Sequence, residues 1–445
     1  MGHHPLTVPQ PTGPTSVRWH IVALLVALCF VSHFNRVSIS VAGNDRIMQQ
    51  FSIEPTRMGA VYSAFLLVYS ICMIPGGWFI DRFGPRLALM IVGFGSAVFG
   101  ALTGLTGWLF SRGADLWLTL LLVRGAMGLL SAPLHPSSAR TVGNWFPLSQ
   151  RSWANGIVTG GAIAGVAATY HGFGALIQLF DWKSAFLVSA AITALLTWLW
   201  AVYATDSPAG HRCVNEAERG LTVSGAASTE ANPAGWKRLA CNRSLMLVTL
   251  SYAAVGYFQY LFVYWMQYYF DQVLRLGETA SKLYASIPQI AMALTMPLGG
   301  WLSDRLARRT GLRRGRAIMA ATGMILSAVL LGLGVLARDA GWIVAWFTLA
   351  LGAVGASEGP FWATAVEIGG RQGGTAAAIC NTGGNAGGML APVVTPWVSS
   401  QLGWPWGIGL GSLVCFLGAL CWWGIDPQPQ APQPRAFQDP AHEPN

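Results

Sequence analysis

Long apolar segments recur along this chain of 445 residues, and they constrain its fold more than any single motif. A helix that crosses a bilayer needs about 20 mostly apolar residues at a rise of about 1.5 Å each. Twelve segments meet this requirement and are numbered below as the first to the twelfth span. They are residues 18–42, 57–80, 86–110, 115–140, 153–178, 184–205, 243–270, 282–303, 316–337, 341–366, 374–400 and 403–425.

The composition agrees with a chain that lies mostly in a membrane. Only 10% of the residues are charged and 53% are apolar, whereas a soluble domain carries about 25% charged residues. Because charged side chains keep a surface hydrated, much of this surface is expected to face lipid. The first apolar segment lacks the small-residue cleavage site of a signal peptide and is interpreted as a span. The sequence therefore predicts an all-α membrane protein with twelve transmembrane helices.

The distribution of basic residues predicts how the chain crosses the membrane. A net charge of +9 could indicate a nucleic-acid partner, but the 27 Lys and Arg residues are unevenly placed. With the N-terminus in the cytoplasm, eighteen of them fall in cytoplasmic segments and seven on the opposite side. This is the positive-inside bias. It predicts a multi-pass protein of the inner (plasma) membrane with both termini in the cytoplasm, and it argues against nucleic-acid binding.

Polar segments divide the chain into two halves. Residues 206–242 are rich in Pro, Gly and Ser and predict a cytoplasmic linker. The linker separates an N-terminal bundle of six helices at 18–205 from a C-terminal bundle of six helices at 243–425. The Pro-rich tails at 1–17 and 426–445 are predicted to be disordered.

The two halves repeat each other in sequence. The segment "GGWFIDR" at Gly76–Arg82 returns as "GGWLSDR" at Gly299–Arg305, an offset of 223 residues. The segment "GGAIAG" at Gly160–Gly165 returns as "GGNAGG" at Gly383–Gly388 with the same offset. Two matches at one offset indicate a parallel duplication. Parallel six-span repeats around a site at the membrane midplane are one of the known plans of transporters.

The loop between the second and third spans resembles the signature motif of the major facilitator superfamily. The segment "GWFIDRFGPR" at Gly77–Arg86 has the form GxxxDRxGxR, and Gly300–Arg309 is a degraded copy. The resemblance implies that this motif stabilises one state of an alternating-access cycle, with the aspartate and arginines pairing across the interface between bundles. The motif residues concerned are Gly77, Asp81, Arg82, Gly84, Arg86, Asp304 and Arg305.

Four further segments resemble the anion:cation symporter family, which includes sugar-acid transporters and vesicular glutamate transporters. In chain order they are "SAFLLVYSICMIPGGW" in the second span, "NWFPLSQR" after the fourth, "YLFVYWMQYYF" in the seventh and "GTAAAICNTGGNAGGMLAP" in the eleventh. The resemblance covers nearly the whole chain apart from the tails and the linker. It implies the two-bundle major facilitator fold and a small organic anion as the substrate.

Two arginines, Arg36 and Arg124, lie well within predicted spans rather than at their first or last residue. Even low estimates put the cost of an arginine at a bilayer centre at about 2.5–3.5 kcal/mol, so such residues are functional-site candidates. A guanidinium matches a planar carboxylate with two parallel hydrogen bonds. The resemblance implies that Arg36 binds the substrate carboxylate and that Arg124 faces the same cavity. The alternatives are that Arg36 extends to the interface and that Arg124 bonds to helix carbonyls.

The family's membrane acids, implicated in proton coupling, are missing here, because Asn35 and Ser131 occupy their positions. Glu358 in the tenth span is the first candidate to replace them, since a buried carboxyl can exchange a proton near neutral pH. His135, beside two prolines in the fourth span, is the second candidate. The alternatives are a glutamate paired with a structural donor and a histidine that only bonds within its helix bundle.

Polar and aromatic side chains in the spans are candidates for substrate recognition. Amides, hydroxyls and aromatic platforms suit a hydroxylated acid, although Tyr and Trp also form interfacial belts. The candidates are His33, Tyr69, Gln259, Tyr260, Tyr264, Trp362, Asn381 and Asn385.

The sequence predicts a secondary transporter rather than an enzyme, since it has no nucleotide loop, metal cluster or nucleophile with a base beside it. Its seven cysteines, odd in number and without metal spacing, are interpreted as free. We expect a monomer in the lipid bilayer, without a cofactor, that carries a sugar acid or another carboxylate together with a proton. The alternatives are an uncoupled facilitator, an anion exchanger that includes the organophosphate:phosphate type, and a membrane sensor that transports nothing.

Overall fold

The computed structural model describes residues 13–53, 55–110, 112–223, 239 and 241–426, and these are folded almost entirely as helices. The spans of the N-terminal half are Val17–Ala42, Pro55–Phe83, Pro85–Leu109, the pair Gly113–Ser131 and Leu134–Trp145, and Arg151–Tyr203. The last helix contains the fifth and sixth spans, because Asp181 adopts a φ of 69° and breaks the helical backbone between them. Short helical segments follow the first span at Gly43–Ile47 and Met48–Phe51.

The C-terminal half repeats this arrangement. Its spans are Arg243–Tyr268, Glu278–Thr310, Leu312–Leu336, the pair Ala340–Gly355 and Glu358–Gly369, Gly373–Leu402 and Trp404–Leu420. Short segments at Tyr269–Val273, Gly370–Gln372 and Cys421–Gly424 extend the seventh, tenth and twelfth spans. The predicted all-α fold is confirmed.

Nine helical segments within the described residues are long and apolar enough to cross a membrane by composition. Residues 153–171 of the fifth span, the eighth span and the eleventh span are helical but lie outside this set. These helices pack against the opposite half, the fifth against the eighth and the eleventh against the second. Helices that face other helices can carry more glycine and polar residues than helices that face lipid, which explains their weaker apolar signal.

The fourth and tenth spans, predicted at 115–140 and 341–366, are each broken in the middle. The breaks lie at 132–133 and 356–357. Pro136 and Pro360 have no backbone N–H to bond the carbonyls of Ala132 and Ala356, four residues earlier. Each half therefore contains one broken span at the equivalent position, and Glu358 begins the helix that follows the second break.

The linker is partly folded against the N-terminal bundle, although the sequence predicts only a flexible connection. Glu216–Val223 is a helix, and the buried carboxylate of Glu218 accepts hydrogen bonds from the backbone N–H groups of Val17 (3.3 Å) and Arg18 (3.1 Å). It therefore caps the first span. Residues 1–12, 224–238 and 427–445, where most of the predicted disorder falls, lie outside the described residues.

The two halves are joined at the end of the bundle that carries Arg82, Arg86, Arg305 and Arg308, called the basic end below. The Asp81 carboxylate accepts hydrogen bonds from the backbone N–H groups of Gly374 and Thr375, both at 2.9 Å. The Asp304 carboxylate accepts hydrogen bonds from the N–H groups of Ser152 (3.2 Å) and Trp153 (2.8 Å). These two contacts are called the carboxylate latches below.

A buried ionic cluster closes the same end. The Glu367 carboxylate in the tenth span pairs with the guanidinium of Arg316 in the ninth span and, at 3.6 Å, with that of Arg151 in the fifth. The Arg151 guanidinium also donates hydrogen bonds to the carbonyls of Phe146 (3.1 Å) and Gly143 (2.7 Å). The cluster thereby ties the fourth and fifth spans of one half to the ninth and tenth of the other.

The motif arginines do not pair with Asp81, contrary to the expectation of an aspartate–arginine contact across the interface. The exposed Arg82 guanidinium lies over the Trp78 ring at 5.6 Å. In the other half Arg305 lies over Trp301 at 5.4 Å, the same relationship 223 residues later. The Arg86 guanidinium donates to the carbonyl of Ala201 (2.5 Å) within its own half.

Glycines of the motif serve close packing and one tight turn. A Cβ on Gly77 would lie 2.7 Å from the Cβ of Ala378, so this position lets the second and eleventh spans approach. Gly84 has a φ of 88°, a conformation that favours glycine, and it turns the chain into the third span.

Candidate functional site

A cavity of about 480 Å³ lies between the two halves. Its lining includes every residue that the sequence predicts for substrate binding or proton coupling: His33, Arg36, Tyr69, Arg124, His135, Gln259, Tyr260, Tyr264, Glu358, Trp362, Asn381 and Asn385. The lining continues to Ser40 and Tyr62 on the side away from the carboxylate latches. The cavity therefore extends from the middle of the bundle towards the end opposite the basic end.

Arg36 presents its guanidinium to this cavity and does not extend to a helix end. One Nη donates a hydrogen bond to the Tyr260 hydroxyl of the other half at 3.1 Å. The guanidinium also lies over the rings of Phe65 (5.1 Å) and Tyr69 (5.4 Å). Within the described residues no carboxylate forms an ion pair with Arg36. Since arginine has five N–H donors, the group retains hydrogen-bonding capacity for an anion.

Arg124 is oriented differently from the sequence-based expectation. Its side chain is 1% exposed, and its Nη atoms donate to the backbone carbonyls of Asn35 (3.3 Å) and Arg36 (2.7 Å). In this geometry Arg124 anchors the backbone of the first span beside Arg36, and its main hydrogen bonds go to that backbone. The alternative of bonds to helix carbonyls is therefore observed, while Nε of Arg124 has no hydrogen-bond partner among the described residues and direct contact with a substrate carboxylate stays a prediction.

The two residues that replace the family's acids have separate surroundings. The Asn35 amide donates to the Thr193 hydroxyl at 2.7 Å and accepts from the Ser189 hydroxyl at 2.5 Å. Asn35 therefore faces the sixth span, and Ser131 ends the helix before the first break. Both side chains are buried.

Glu358 is the carboxylate of the cavity. It is 2% exposed, and one oxygen accepts a hydrogen bond from the Tyr252 hydroxyl at 3.0 Å. The other oxygen accepts a hydrogen bond from the Gln259 amide. Both donors belong to the seventh span, so Glu358 is held by its own half while Arg36 belongs to the other half. The sequence analysis did not predict Tyr252 as a site residue, although its spacing of seven residues from Gln259 places both on one helix face.

Two histidines meet across the first and fourth spans. The Nε2 atoms of His33 and His135 are 3.3 Å apart, and Nδ1 of His33 is 3.0 Å from the carbonyl of Cys29. The His135 ring stacks on the Trp362 ring of the tenth span, with 5.5 Å between centroids and 23° between planes. His135 follows the break of the fourth span and Trp362 the break of the tenth, so the contact joins the two helices that follow the breaks.

The eleventh span contributes amides to the cavity. Asn381 Nδ2 lies 3.4 Å from the Tyr69 hydroxyl of the second span, and Asn385 Nδ2 donates to the carbonyl of Asn381 at 2.9 Å. Glycines bring this helix against the seventh span, since a Cβ on Gly387 would overlap the carbonyl of Ala253. Gln289 and Phe65 also line the cavity, and the sequence analysis predicted neither of them. Gln289 is a polar residue beside Pro288 in a span, which is a signal that could have found it.

A family model of the Major Facilitator Superfamily matches residues 25–373, and a second match covers residues 313–444. Several bacterial transporters are similar to this chain over most of their length. A probable sulfoacetate transporter from Cupriavidus necator is 29% identical over 390 residues, covering 87% of this chain and 88% of the relative. A probable galactarate/D-glucarate transporter from Bacillus subtilis is 29% identical over 415 residues, covering 88% of each chain.

A further relative and two solved structures are also similar to this chain. A D-galactonate transporter from Escherichia coli is 26% identical over 432 residues, covering 94% of this chain and 96% of the relative. Among solved structures, the proton:xylose symporter XylE superimposes with a TM-score of 0.68 at 17% identity, covering 92% of this chain and 96% of that one. The E. coli fucose:proton symporter FucP also gives a TM-score of 0.68, at 16% identity and coverages of 91% and 99%.

Proposed function

The chain belongs to the Major Facilitator Superfamily, and on that basis we propose that it moves a small organic anion across the inner membrane by alternating access of the central cavity. The single observation that carries the proposal is Arg36, a guanidinium without a carboxylate partner in the described residues, in a cavity between two repeated bundles. A cation held in such a place favours an anionic ligand. The planar group favours a carboxylate or a sulfonate.

The rest of the lining supports a hydroxylated carboxylate. Tyr260 places its hydroxyl beside Arg36, and the Tyr69 ring lies against the guanidinium. Asn381 brings its amide to the Tyr69 hydroxyl, and Asn385 bonds to Asn381. Such groups pair with hydroxyls, which an unsubstituted aliphatic acid lacks. The names of the relatives, transporters for galactarate, D-glucarate, D-galactonate and sulfoacetate, agree with a small organic acid.

Alternating access is supported by the asymmetry of the two ends. The carboxylate latches and the Glu367 cluster join the halves at the basic end, whereas the cavity extends towards the other end. If the basic end is cytoplasmic, as the positive-inside bias predicts, this arrangement is the outward-facing state. Rocking of one bundle against the other would open the latches and expose Arg36 to the cytoplasm.

We propose proton coupling as the mode of transport, with Glu358 and His135 as the titratable groups of the cavity. Exchange of one anion for another is the second candidate, because no acid among the described residues forms an ion pair with Arg36 or Arg124 that a proton could break. Organophosphate:phosphate exchange is less favoured, since that type needs an arginine in the seventh span and none lies between Arg243 and Arg275. A sensor role has no supporting contact in the described residues.

Uptake into proteoliposomes tests the proposal. Purified protein would be screened with labelled D-galactonate, D-glucarate, galactarate and sulfoacetate, with and without an inward proton gradient. We expect saturable uptake of at least one anion, abolished by Arg36→Ala, and accumulation above equilibrium when the gradient is present. Equilibration that ignores the gradient would support exchange or facilitation, and no uptake of any anion would contradict the proposed function.

A further inference from the structure

We propose that His33 and His135 form the proton site of the transport cycle, and that the proton binds at Nδ1 of His135. The inference rests on the proposed function, since it assigns the proton of that cycle to one atom. It is carried by the contact between the two rings, by the place of His135 beside Arg36 in the cavity, and by its stacking on the opposite half.

The hydrogen bonds of the pair fix where its protons are. The Cys29 carbonyl can only accept, so Nδ1 of His33 carries a proton. In a neutral ring, Nε2 of His33 is then the acceptor, and the contact of 3.3 Å requires a proton on Nε2 of His135. Nδ1 of His135 is left with a free lone pair, and no described residue bonds to it.

An additional proton has one favourable position. On Nε2 of His33 it would face the N–H of His135 across 3.3 Å, and the bond between the rings would be lost. On Nδ1 of His135 the bond remains, and His135 becomes an imidazolium that still donates to His33. Both rings line the cavity, but His33 is buried at 8% exposure, whereas His135 is partly exposed. His33 is therefore the positioning residue, and His135 receives the proton.

The charges around His135 link this proton to the anion. Arg36 and Arg124 line the same cavity and disfavour a third positive charge while it is empty. An anion on Arg36 removes this repulsion, so anion binding promotes proton binding, and the coupling free energy is reciprocal. The remaining titratable groups are the Cys29 thiol, which lies one helical turn from His33, and the cavity-lining hydroxyls and carboxyl of Tyr62, Tyr69, Tyr252, Tyr260, Tyr264 and Glu358. Among these, Glu358 is the group whose negative charge favours the imidazolium. Its two oxygens already accept hydrogen bonds from Tyr252 and Gln259 of the seventh span.

The stacking on Trp362 connects the proton to the movement of the halves. A charged imidazolium over an indole face gains a cation–π attraction that the neutral ring lacks. Trp362 belongs to the C-terminal half and His135 to the N-terminal half. Protonation therefore strengthens a contact between the halves at the level of the bound anion, which favours closure around the loaded cavity.

Proton uptake on anion binding tests the inference directly. Detergent-purified protein in weak buffer with a pH indicator would receive whichever of the four panel anions the wild type transports. We expect the wild type to take up about one proton per bound anion, and His135→Gln, which keeps an N–H donor towards His33, to take up less than about a tenth of that. His20→Gln, on the same helix as His33 but at its exposed end, is the matched control and should behave as wild type.

Transport assays separate this inference from the proposed function. His135→Gln should retain anion counterflow without a gradient and lose gradient-driven accumulation, whereas the control His20→Gln, outside the cavity, should retain both. If His135→Gln does not fold, His33→Asn should still take up the proton but with a shifted pH midpoint. A wild type that transports an anion without proton uptake, or a Glu358→Gln variant that alone abolishes the uptake, would overturn the inference. A wild type that transports none of the panel would instead reject the proposed function.

Discussion

Asp81 and Asp304, which lie 223 residues apart, each bring a carboxylate to the N-terminus of a helix in the opposite half. Asp81 of the second span binds the start of Gly373–Leu402, and Asp304 of the eighth span binds the start of Arg151–Tyr203. A helix N-terminus offers unpaired N–H groups and a partial positive charge. The basic end is therefore closed by two equivalent carboxylate latches, including one from the copy of the motif that is degraded in sequence.

Neutralising a latch should favour opening of the basic end. Asp81→Asn or Asp304→Asn removes the charge that meets the helix N-terminus, a loss of roughly 1–2 kcal/mol and hence about tenfold in the conformational equilibrium. Spin labels on the exposed residues Leu87 and Leu302, one in each half, should report a longer distance. Asp115→Asn, an exposed acid at the other end of the bundle, is the matched control. An unchanged distance distribution in both latch variants would contradict this role.

Replacing the cavity arginine with lysine should be damaging although the charge is kept. Arg36→Lys loses the planar pair of donors and the stacking on Phe65 and Tyr69, so we expect KM for the transported anion to rise at least about tenfold. Arg36→Ala should abolish uptake. Arg57 is an exposed arginine at the end of the bundle opposite the basic end, so Arg57→Lys should leave KM unchanged. Full activity of Arg36→Lys would mean that anion binding requires only a positive charge at this position and not the planar guanidinium.

Arg124 should affect transport indirectly, by holding the first span in position and by stabilising the folded protein. Arg124→Gln removes the hydrogen bonds that the guanidinium donates to the carbonyls of Asn35 and Arg36, and a hydrogen bond to a charged group contributes about 1.5–3 kcal/mol. We expect a lower Tm in detergent together with a higher KM. Arg124→Lys should recover part of the Tm, because it still donates to a carbonyl. If Arg124→Gln raised KM with an unchanged Tm, direct contact with the anion would be the better explanation.

Removing the carboxylate of the cavity should strengthen anion binding. Glu358 lines the same cavity as Arg36, so its charge opposes an anion there. Glu358→Gln keeps a side chain that can bond Tyr252 and Gln259, and we expect a severalfold lower Kd at low salt, with a smaller effect at high salt because screening weakens the repulsion. Equilibrium binding by calorimetry at two ionic strengths would measure this. Weaker binding would show that Glu358 contributes a favourable contact.

Packing between the seventh and eleventh spans should tolerate no added methyl group. In Gly387→Ala the new Cβ would overlap the carbonyl of Ala253, so we expect destabilisation of about 1–3 kcal/mol and a clearly lower Tm. Gly409→Ala in the twelfth span meets no atom within 4 Å and should keep or slightly raise the Tm, because alanine favours a helix. Equal Tm values for the two variants would exclude close packing as the reason for the glycines.

The sequence alone determined the fold class, the division into two repeated halves and twelve of the residues that line the cavity, although it did not predict Tyr252, Gln289 or Phe65. These follow from local signals: apolar segments of membrane length, repeated glycine motifs at one offset, and polar side chains inside otherwise apolar helices. Arg36, Glu358 and Asn381 stand out because placing a charged or amide side chain in lipid costs free energy. The residue type alone therefore marks each of them as a candidate.

The tertiary structure decided which groups meet. Arg124 looks equivalent to Arg36 in sequence, yet its donors reach the carbonyls of the first span, while Arg36 is left with the Tyr260 hydroxyl. His33 and His135 are 102 residues apart and become a pair only when the first and fourth spans pack. Asp81 and Asp304 bind backbone N–H groups, which every residue other than proline has and no sequence motif marks. Contacts of this kind depend on the packing of distant helices, so residue identity fixed the candidates and three-dimensional packing assigned their partners.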